Sequence, residues 1–121
     1  MERNFKLTLQ SPATVDEAEK ILRELGTDEA GVAIMREKMI FRVVKVEQVP
    51  LRAAIILKQT FLAKGGEAAT TREVAGLTAE TSDVILMGTL KQFRLAIGAL
   101  KGQPFGLKKL AGELERFLYK K

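Results

Sequence analysis

The run MIFRVVKVEQV, from Met39 to Val49, constrains the fold of this chain more than any other stretch. It is rich in β-branched residues and nearly continuous in its apolar character, which favours a strand. Such a strand is typical of the centre of a sheet that is covered on both faces for part of its length. Pro50 follows, and proline suits the first turn of a helix, so we expect strands and helices to alternate.

Other segments extend this alternation. Phe5 to Gln10 alternates apolar and polar residues, which predicts a strand before the first helix. Val84 to Met87 is short, apolar and bounded by turn residues, as expected of a buried strand. EAATT, at 67–71, is a shorter strand candidate, and the stretch 72–83 reads mostly as loop. Helical patterns occupy 14–26, 28–35, 51–66, 89–100 and 107–121.

The order of these elements predicts an α/β (α+β) fold. We expect a small mixed β-sheet of about four strands with helices packed on it, two of them at the C-terminus. A chain of 121 residues has the usual size of one domain, so 1–121 is expected to form a single globular unit. The sequence has neither a long apolar run nor a basic-then-apolar leader, so we expect a cytoplasmic protein without a membrane partner.

The sequence contains no His and no Cys. Their absence excludes thiolate or imidazole zinc sites and nucleophilic catalysis of the Ser-His and Cys-His types. Carboxylate, Lys, Tyr and hydroxyl chemistry stay open, but these groups form no recognisable catalytic set in the sequence. We therefore expect a protein without catalytic residues, metal ligands or a cofactor.

Two glycine turns are the candidate binding site. Gly65-Gly66 ends one helix, and Gly88-Thr89 precedes another, where free backbone N–H groups and the helix dipole favour an anion. Lys91 and Arg94 follow closely and offer a positive charge for such an anion. The alternative is structural, because Thr89 is also a suitable N-cap residue.

Asp83 completes the candidate set, since it precedes the apolar run that leads into the Gly88-Thr89 turn. A single carboxylate does not make an acid–base mechanism, and a turn residue is the alternative. The net charge of +5 and the Lys- and Arg-rich last third leave a nucleic-acid partner open. That basic third is also compatible with the polar side of two amphipathic helices. Phe105, in the segment QPFG, either presents an exposed aromatic ring or packs inward.

Several motifs together resemble the N-terminal extension of some bacterial dihydropteroate synthases, which are transferases of the folate pathway. These motifs are Lys58-Gln59, Gly65-Gly66 with Ala68-Ala69, Asp83 with Met87-Gly88-Thr89, and 103–107, which reads QPFGL. The similarity extends from about Phe41 to Leu114, and the first forty residues match less well. The stretch LTAETSD departs from the pattern because it lacks a basic residue.

The resemblance implies an accessory role rather than catalysis. In such enzymes the chemistry belongs to a downstream (β/α)₈ barrel, and a chain of 121 residues cannot hold a barrel of about 250. No catalytic residue is carried over. The implied partners are a dihydropteroate-synthase-type barrel or a second copy of the chain, with a phosphate or pterin as ligand. The final helix, which ends in Tyr119-Lys120-Lys121, would point into the linker to that barrel. Two alternatives stay open: a small basic nucleic-acid-binding module and an independent small-anion-binding protein.

Overall fold

The structure is a computed structural model that describes residues 4–77 and 80–119. Within these residues the chain forms six α-helices, one 3₁₀ helix and three strands, which confirms the α+β class. The elements, in chain order, are α1 (Val15–Leu25), α2 (Glu29–Met35), the 3₁₀ helix (Arg36–Met39), β1 (Phe41–Pro50), α3 (Leu51–Ala63), β2 (Glu67–Thr70), α4 (Arg72–Ala75), β3 (Thr81–Thr89), α5 (Leu90–Leu100) and α6 (Leu107–Tyr119).

The three strands form an antiparallel sheet in the order β1-β3-β2. In the register, Val44 and Ala68 both lie opposite Leu86, so the apolar run predicted at Val84 to Met87 occupies the middle strand. Short connections through Pro50 and through Thr89 lead from strand to helix, as the positions of the proline and the threonine predicted. The C-terminal ends of β1 and β3 therefore each lead directly into a long helix.

One face of the sheet carries the core. Val44, Ala68, Val84 and Leu86 pack with buried residues of α3, α5 and α6. At its centre, the rings of Phe61 and Phe93 meet edge to face with centroids 5.1 Å apart, a favourable arrangement for two aromatic rings. The helix predicted at 89–100 is confirmed as α5, and its residues Leu90, Phe93, Ala96 and Leu100 are all buried. We call the opposite side, which carries Phe41, Val43, Ile85 and Met87, the open face.

Two features of the predicted sheet are wrong. The described residues form three strands rather than about four, and the sheet is antiparallel rather than mixed. Phe5 to Gln10, the predicted first strand, pairs with neither edge of the sheet, although its backbone forms no helix or turn either. An alternating pattern specifies which side chains share a face, but it supplies no partner strand to bond with.

β1 was expected at the centre of the sheet and lies at its edge instead. Its apolar side chains are consequently not all covered: Phe41 and Val43 are 60% and 62% exposed. The register also shifts between Val46 and Val49, where Gln48 takes a positive φ of 54°. Such a bulge interrupts the ladder and bends an edge strand.

The remaining predictions concern loops and membrane spans. The stretch 72–83, read mostly as loop, contains the helical turn α4 and the beginning of β3, while Thr78 and Ala79 lie outside the described residues. Phe105 is half exposed, with the Arg52 guanidinium 5.7 Å from its ring centroid, so it does not pack into the core. In the part of the chain that the structure describes, no helix has the length and apolar character needed to cross a bilayer.

Candidate functional site

The structure brings the two predicted glycine turns into contact. A Cβ atom on Gly66 would lie 2.9 Å from the carbonyl oxygen of Met87, and one on Gly88 would lie 3.6 Å from the Cα of Gly66. Real Cβ atoms essentially never approach a backbone oxygen as closely as 2.9 Å, so the turn after α3 and the end of β3 lie this close because Gly66 has no side chain. A Cβ on Gly88 would instead meet the Gln92 side-chain oxygen at 2.9 Å. We call the contact between the two turns, with Gln92 beside it, the glycine junction.

Gln92 links the two turns of the glycine junction. Its side-chain oxygen accepts from the Thr89 N–H at 2.9 Å, and its side-chain nitrogen donates to the Gly65 carbonyl at 3.0 Å. The Gln92 N–H donates to the Thr89 hydroxyl at 3.1 Å, which completes a reciprocal capping box. Position 65 favours glycine for a different reason, because its φ of 86° is strained for other residues.

Because of these bonds, few amides at the start of α5 are left for an anion. The Leu90 N–H donates to the Ile40 carbonyl at 2.9 Å, and the Gln92 N–H is taken by Thr89. The predicted N-cap role of Thr89 is therefore confirmed. Binding of an anion or substrate at Gly65, Gly66, Gly88 and Thr89 stays a prediction.

Asp83 lies at the far end of the same strand. It belongs to β3 rather than to a turn before it, and Gly88 lies five positions further along the strand, roughly 16 Å away. Its carboxylate accepts from the Gln48 N–H at 2.9 Å and lies 3.8 Å from the Lys45 ammonium. Asp83 thus supports the bulge in β1, and the structure does not bring it to the glycine junction.

Lys91, the last predicted site residue, is exposed at the start of α5 beside a polar cluster that the sequence did not indicate. In this cluster the Arg94 guanidinium binds the carboxylate of Glu37 through two hydrogen bonds, one of 2.8 Å. The hydrogen bond from Arg94 is the main reason why the pKa of Glu37 is lowered, and the positive charges of Arg94, Arg36 and Lys91 add to it. Burial opposes this shift.

Tyr119 closes the other side of Arg94. The Arg94 guanidinium lies 4.2 Å from the centroid of the Tyr119 ring, within the range of a cation–π contact. The Tyr119 hydroxyl donates to the Leu90 carbonyl. Burial raises the pKa of Tyr119 to about 12, although the nearby positive charge of Arg94 acts in the opposite direction. We call Glu37, Arg94 and Tyr119 the polar cluster.

The polar cluster forms one wall of a cleft of about 460 Å³, whose opposite wall is the start of α1 with Thr14 and Asp16. Arg42 lies in the same cleft and donates to the Ala13 carbonyl. The cleft carries charges of both signs, and Glu37 and Arg94 are already paired with each other. It could accept a polar ligand, but it presents no nucleophile with an adjacent base.

The polar cluster could not be found from the sequence because Glu37, Arg94 and Tyr119 are far apart along the chain. Arg94 and Lys101, two members of the basic C-terminal third, each face a carboxylate: Arg94 pairs with Glu37, and Lys101 lies 3.4 Å from Glu115. Lys120 and Lys121 lie outside the described residues. Across 4–77 and 80–119, no group of three or more acidic side chains is arranged to hold a metal ion.

Comparison with curated proteins finds similarity to parts of bifunctional proteins whose names include dihydropteroate synthase. It is 33% identical over 103 residues to the bifunctional dihydropteroate synthase/dihydropteroate reductase of Helicobacter pylori, an alignment that covers 85% of this chain and 27% of that protein. It is 35% identical over 108 residues to a probable bifunctional folylpolyglutamate synthase/dihydropteroate synthase of Halobacterium salinarum. That alignment covers 87% of this chain and 13% of the archaeal protein. A protein of the same description from Haloferax volcanii is 30% identical over 105 residues, and the alignment covers 87% of this chain and 12% of that protein.

The chain thus spans between 12% and 27% of the length of these three relatives. It resembles one part of a dihydropteroate-synthase-type protein, as the motifs predicted. The alignments of 103 to 108 residues are longer than the stretch 41–114, so the similarity reaches further than expected. No family model matches the chain, and no solved structure matches it significantly.

Proposed function

We propose that this chain is a non-catalytic accessory domain that acts beside a dihydropteroate-synthase barrel in the folate pathway. The observation that carries the proposal is the overlap between the three relatives' names. One relative combines dihydropteroate synthase with a reductase, and two combine it with a folylpolyglutamate synthase. The synthase is the part that all three names share, so it is the activity with which this domain is most consistently associated.

The described surface supports assembly. Leu25 on α1, Ile34 on α2 and Phe117 on α6 are 79%, 59% and 74% exposed, so large apolar side chains lie in contact with water on three helices. Apolar surface of this kind is often covered by a protein partner. In the first relative, an aligned region of 103 residues is 27% of the chain, which leaves room for a barrel of about 250 residues.

Assembly is tested by mixing this chain with a separately purified dihydropteroate-synthase barrel, preferably from the same organism. We expect the two to sediment together, and Phe117→Glu to weaken the complex. The matched control is Phe105→Glu, which changes an equally large but half-exposed aromatic residue in the turn before α6. Failure of the wild-type chain to bind any such barrel contradicts the proposal.

A ligand-binding role at the glycine junction is the second half of the proposal. A ligand that binds only the folded state raises the melting temperature, so a panel of phosphate, a pterin and a nucleotide separates the options. Lys91→Ala is expected to reduce a phosphate-dependent shift, whereas Lys109→Ala, an exposed change on α6, is expected to leave it intact. An oligonucleotide whose affinity falls steeply with salt would instead favour the nucleic-acid alternative.

A second candidate function follows from the name of the Helicobacter relative. Since that protein is named for a synthase and a reductase, the part outside its barrel is a candidate for dihydropteroate reduction. The names of the two archaeal relatives do not include a reductase, so this activity is not common to the three. The test is to mix this chain with dihydropteroate and a reduced nicotinamide cofactor and to follow oxidation of the cofactor. Oxidation that requires both dihydropteroate and this chain would establish a reductase and contradict the non-catalytic role.

A further inference from the structure

The N-terminal segment Phe5–Gln10 and the strand β1 are each incomplete in the single chain. Phe5, Leu7 and Leu9 have the spacing of one face of a strand, yet they are 81%, 91% and 91% exposed. β1 is an edge strand, and its side chains Phe41 and Val43 are exposed on the open face. Among the described residues, Phe5–Gln10 thus has the pattern of a strand but pairs with no sheet, and no strand pairs with the outer edge of β1.

We propose that Phe5–Gln10 adds to the free edge of β1 in a second copy of this chain, so that two copies exchange their N-terminal strands. Each sheet then has four strands, with the order N-terminal strand of the second copy, β1, β3, β2. Phe5, Leu7 and Leu9 lie on the open face beside Phe41 and Val43, where cross-strand apolar neighbours cover one another. Main-chain hydrogen bonds fill the edge, as in other cases of strand addition.

The lengths of the two elements agree. β1 pairs regularly with β3 from Phe41 to Val46, and the shift after Val46 interrupts the strand. The regular part therefore has six residues, the same number as Phe5–Gln10. The other edge of the sheet is β2, which has only four residues and is a poorer acceptor. The bulge at Gln48 makes the rest of the β1 edge unsuitable for pairing, so the added strand is expected to pair with the first half of β1.

The position of the chain at Ala13, just after the N-terminal segment, supports exchange between copies. The Arg42 side chain donates to the Ala13 carbonyl, which holds the chain near the beginning of β1 in its own copy. Before Ala13 the segment is not packed on its own sheet, because its three apolar side chains are almost fully exposed. Six extended residues span roughly 20 Å, enough to reach along a neighbouring edge strand. A reciprocal exchange closes on a two-fold axis and covers the free β1 edge of both copies, so the exchange itself does not continue into a fibre.

Sedimentation velocity over a concentration series tests this inference on the full chain. We expect wild type to form a species of twice the chain mass, and a variant with both Leu7→Glu and Leu9→Glu to remain at the single mass. Leu95→Glu is the matched control because it changes an exposed leucine on α5, 45% exposed, and should leave the dimer intact. A wild-type chain that is monomeric at every concentration, or a double variant that still dimerises, overturns the inference.

Disulfide trapping identifies the route of the strand and does not depend on the glutamate variants. Because the chain has no Cys, a Leu7→Cys chain can be mixed with a Val43→Cys chain and oxidised. A mixed disulfide dimer is expected, and a mixture of Leu7→Cys with Leu95→Cys should give none. A chain that carries both Leu7→Cys and Val43→Cys and forms only the intrachain bond would show that the segment docks on its own sheet, which also overturns the inference. The result does not depend on the barrel partner, since only this chain is present.

Discussion

The glycine junction and the polar cluster both attach α5 to another part of the molecule, but by different means. At the glycine junction the backbones of two turns touch, and Gln92 bonds to both. In the polar cluster, side chains make the contacts: an ion pair, an aromatic ring over Arg94 and a bond from the Tyr119 hydroxyl to the Leu90 carbonyl. The ion pair is partly open to water. Close backbone contacts tolerate almost no added volume, whereas exposed charge pairs contribute little to stability. The comparison therefore predicts that substitutions at the glycine junction destabilise the fold, whereas substitutions in the polar cluster have little effect on its stability.

Gly66→Ala should have the largest effect. The new methyl group would lie 2.9 Å from the Met87 carbonyl oxygen, and because that oxygen belongs to the backbone, the turn or β3 must move. We expect a loss of about 1–3 kcal/mol in the free energy of unfolding, measured by urea denaturation. Gly98→Ala is the control: it lies in α5 with open space around it, so alanine should stabilise the chain by about 0.5–1 kcal/mol. Equal effects of the two changes would contradict the sensitivity expected of the glycine junction.

Gln92→Ala should have the next largest effect. It removes the half of the capping box that binds the Thr89 N–H, together with the bond to the Gly65 carbonyl. We expect a cost of about 1–2 kcal/mol, in the range of a lost helix cap, with the same denaturation measurement. Gln59→Ala, at an exposed position of α3, should change the stability by less than about 0.5 kcal/mol. If Gln92→Ala were equally mild, the two turns would be held by backbone contact alone.

Tyr119→Phe should change the response of the protein to alkali. The folded-state pKa of Tyr119 is about 12, above its ordinary value, so its neutral form stabilises the folded state. That stability is fully present below the unfolded pKa of about 10 and is lost as the pH rises through about 12. Melting temperatures recorded between these pH values should fall more for wild type than for Tyr119→Phe. Parallel curves would show that the hydroxyl is not sequestered against α5.

Glu37→Gln should have the smallest effect. The pKa of Glu37 is lowered in the folded state, so its contribution is present above the unfolded pKa and is lost as the pH falls through the folded value. Arg94 is half exposed, so we expect a cost of about 1 kcal/mol or less at neutral pH. The difference in melting temperature between the two proteins should narrow in acid. A loss of stability at neutral pH as large as that expected for Gly66→Ala would show that the polar cluster contributes as much to stability as the glycine junction.

The sequence specified local features better than contacts between distant segments. Thr89 and Pro50 are at helix starts because capping and proline geometry depend only on neighbouring residues. The central position of β3 and the edge position of β1 depend on which strands pair, and apolar content alone misplaced β1. The composition of the two glycine turns indicates a candidate site, but the contact between them is visible only in the folded structure. The polar cluster joins residues up to 82 positions apart, from Glu37 to Tyr119, so it carried no local signal.

The position of Tyr119 makes the chain its own optical reporter. The sequence has one Tyr and no Trp, so all tyrosine fluorescence comes from the last turn of α6. In the folded chain that ring lies against Arg94, and its hydroxyl is bonded to the Leu90 carbonyl, both on α5. Emission from the unmodified protein therefore reports on the packing around the end of α6, where Tyr119 also contacts the cluster of Ala18, Ile40 and Leu90. A partner that displaces α6 would be visible in this signal without a label.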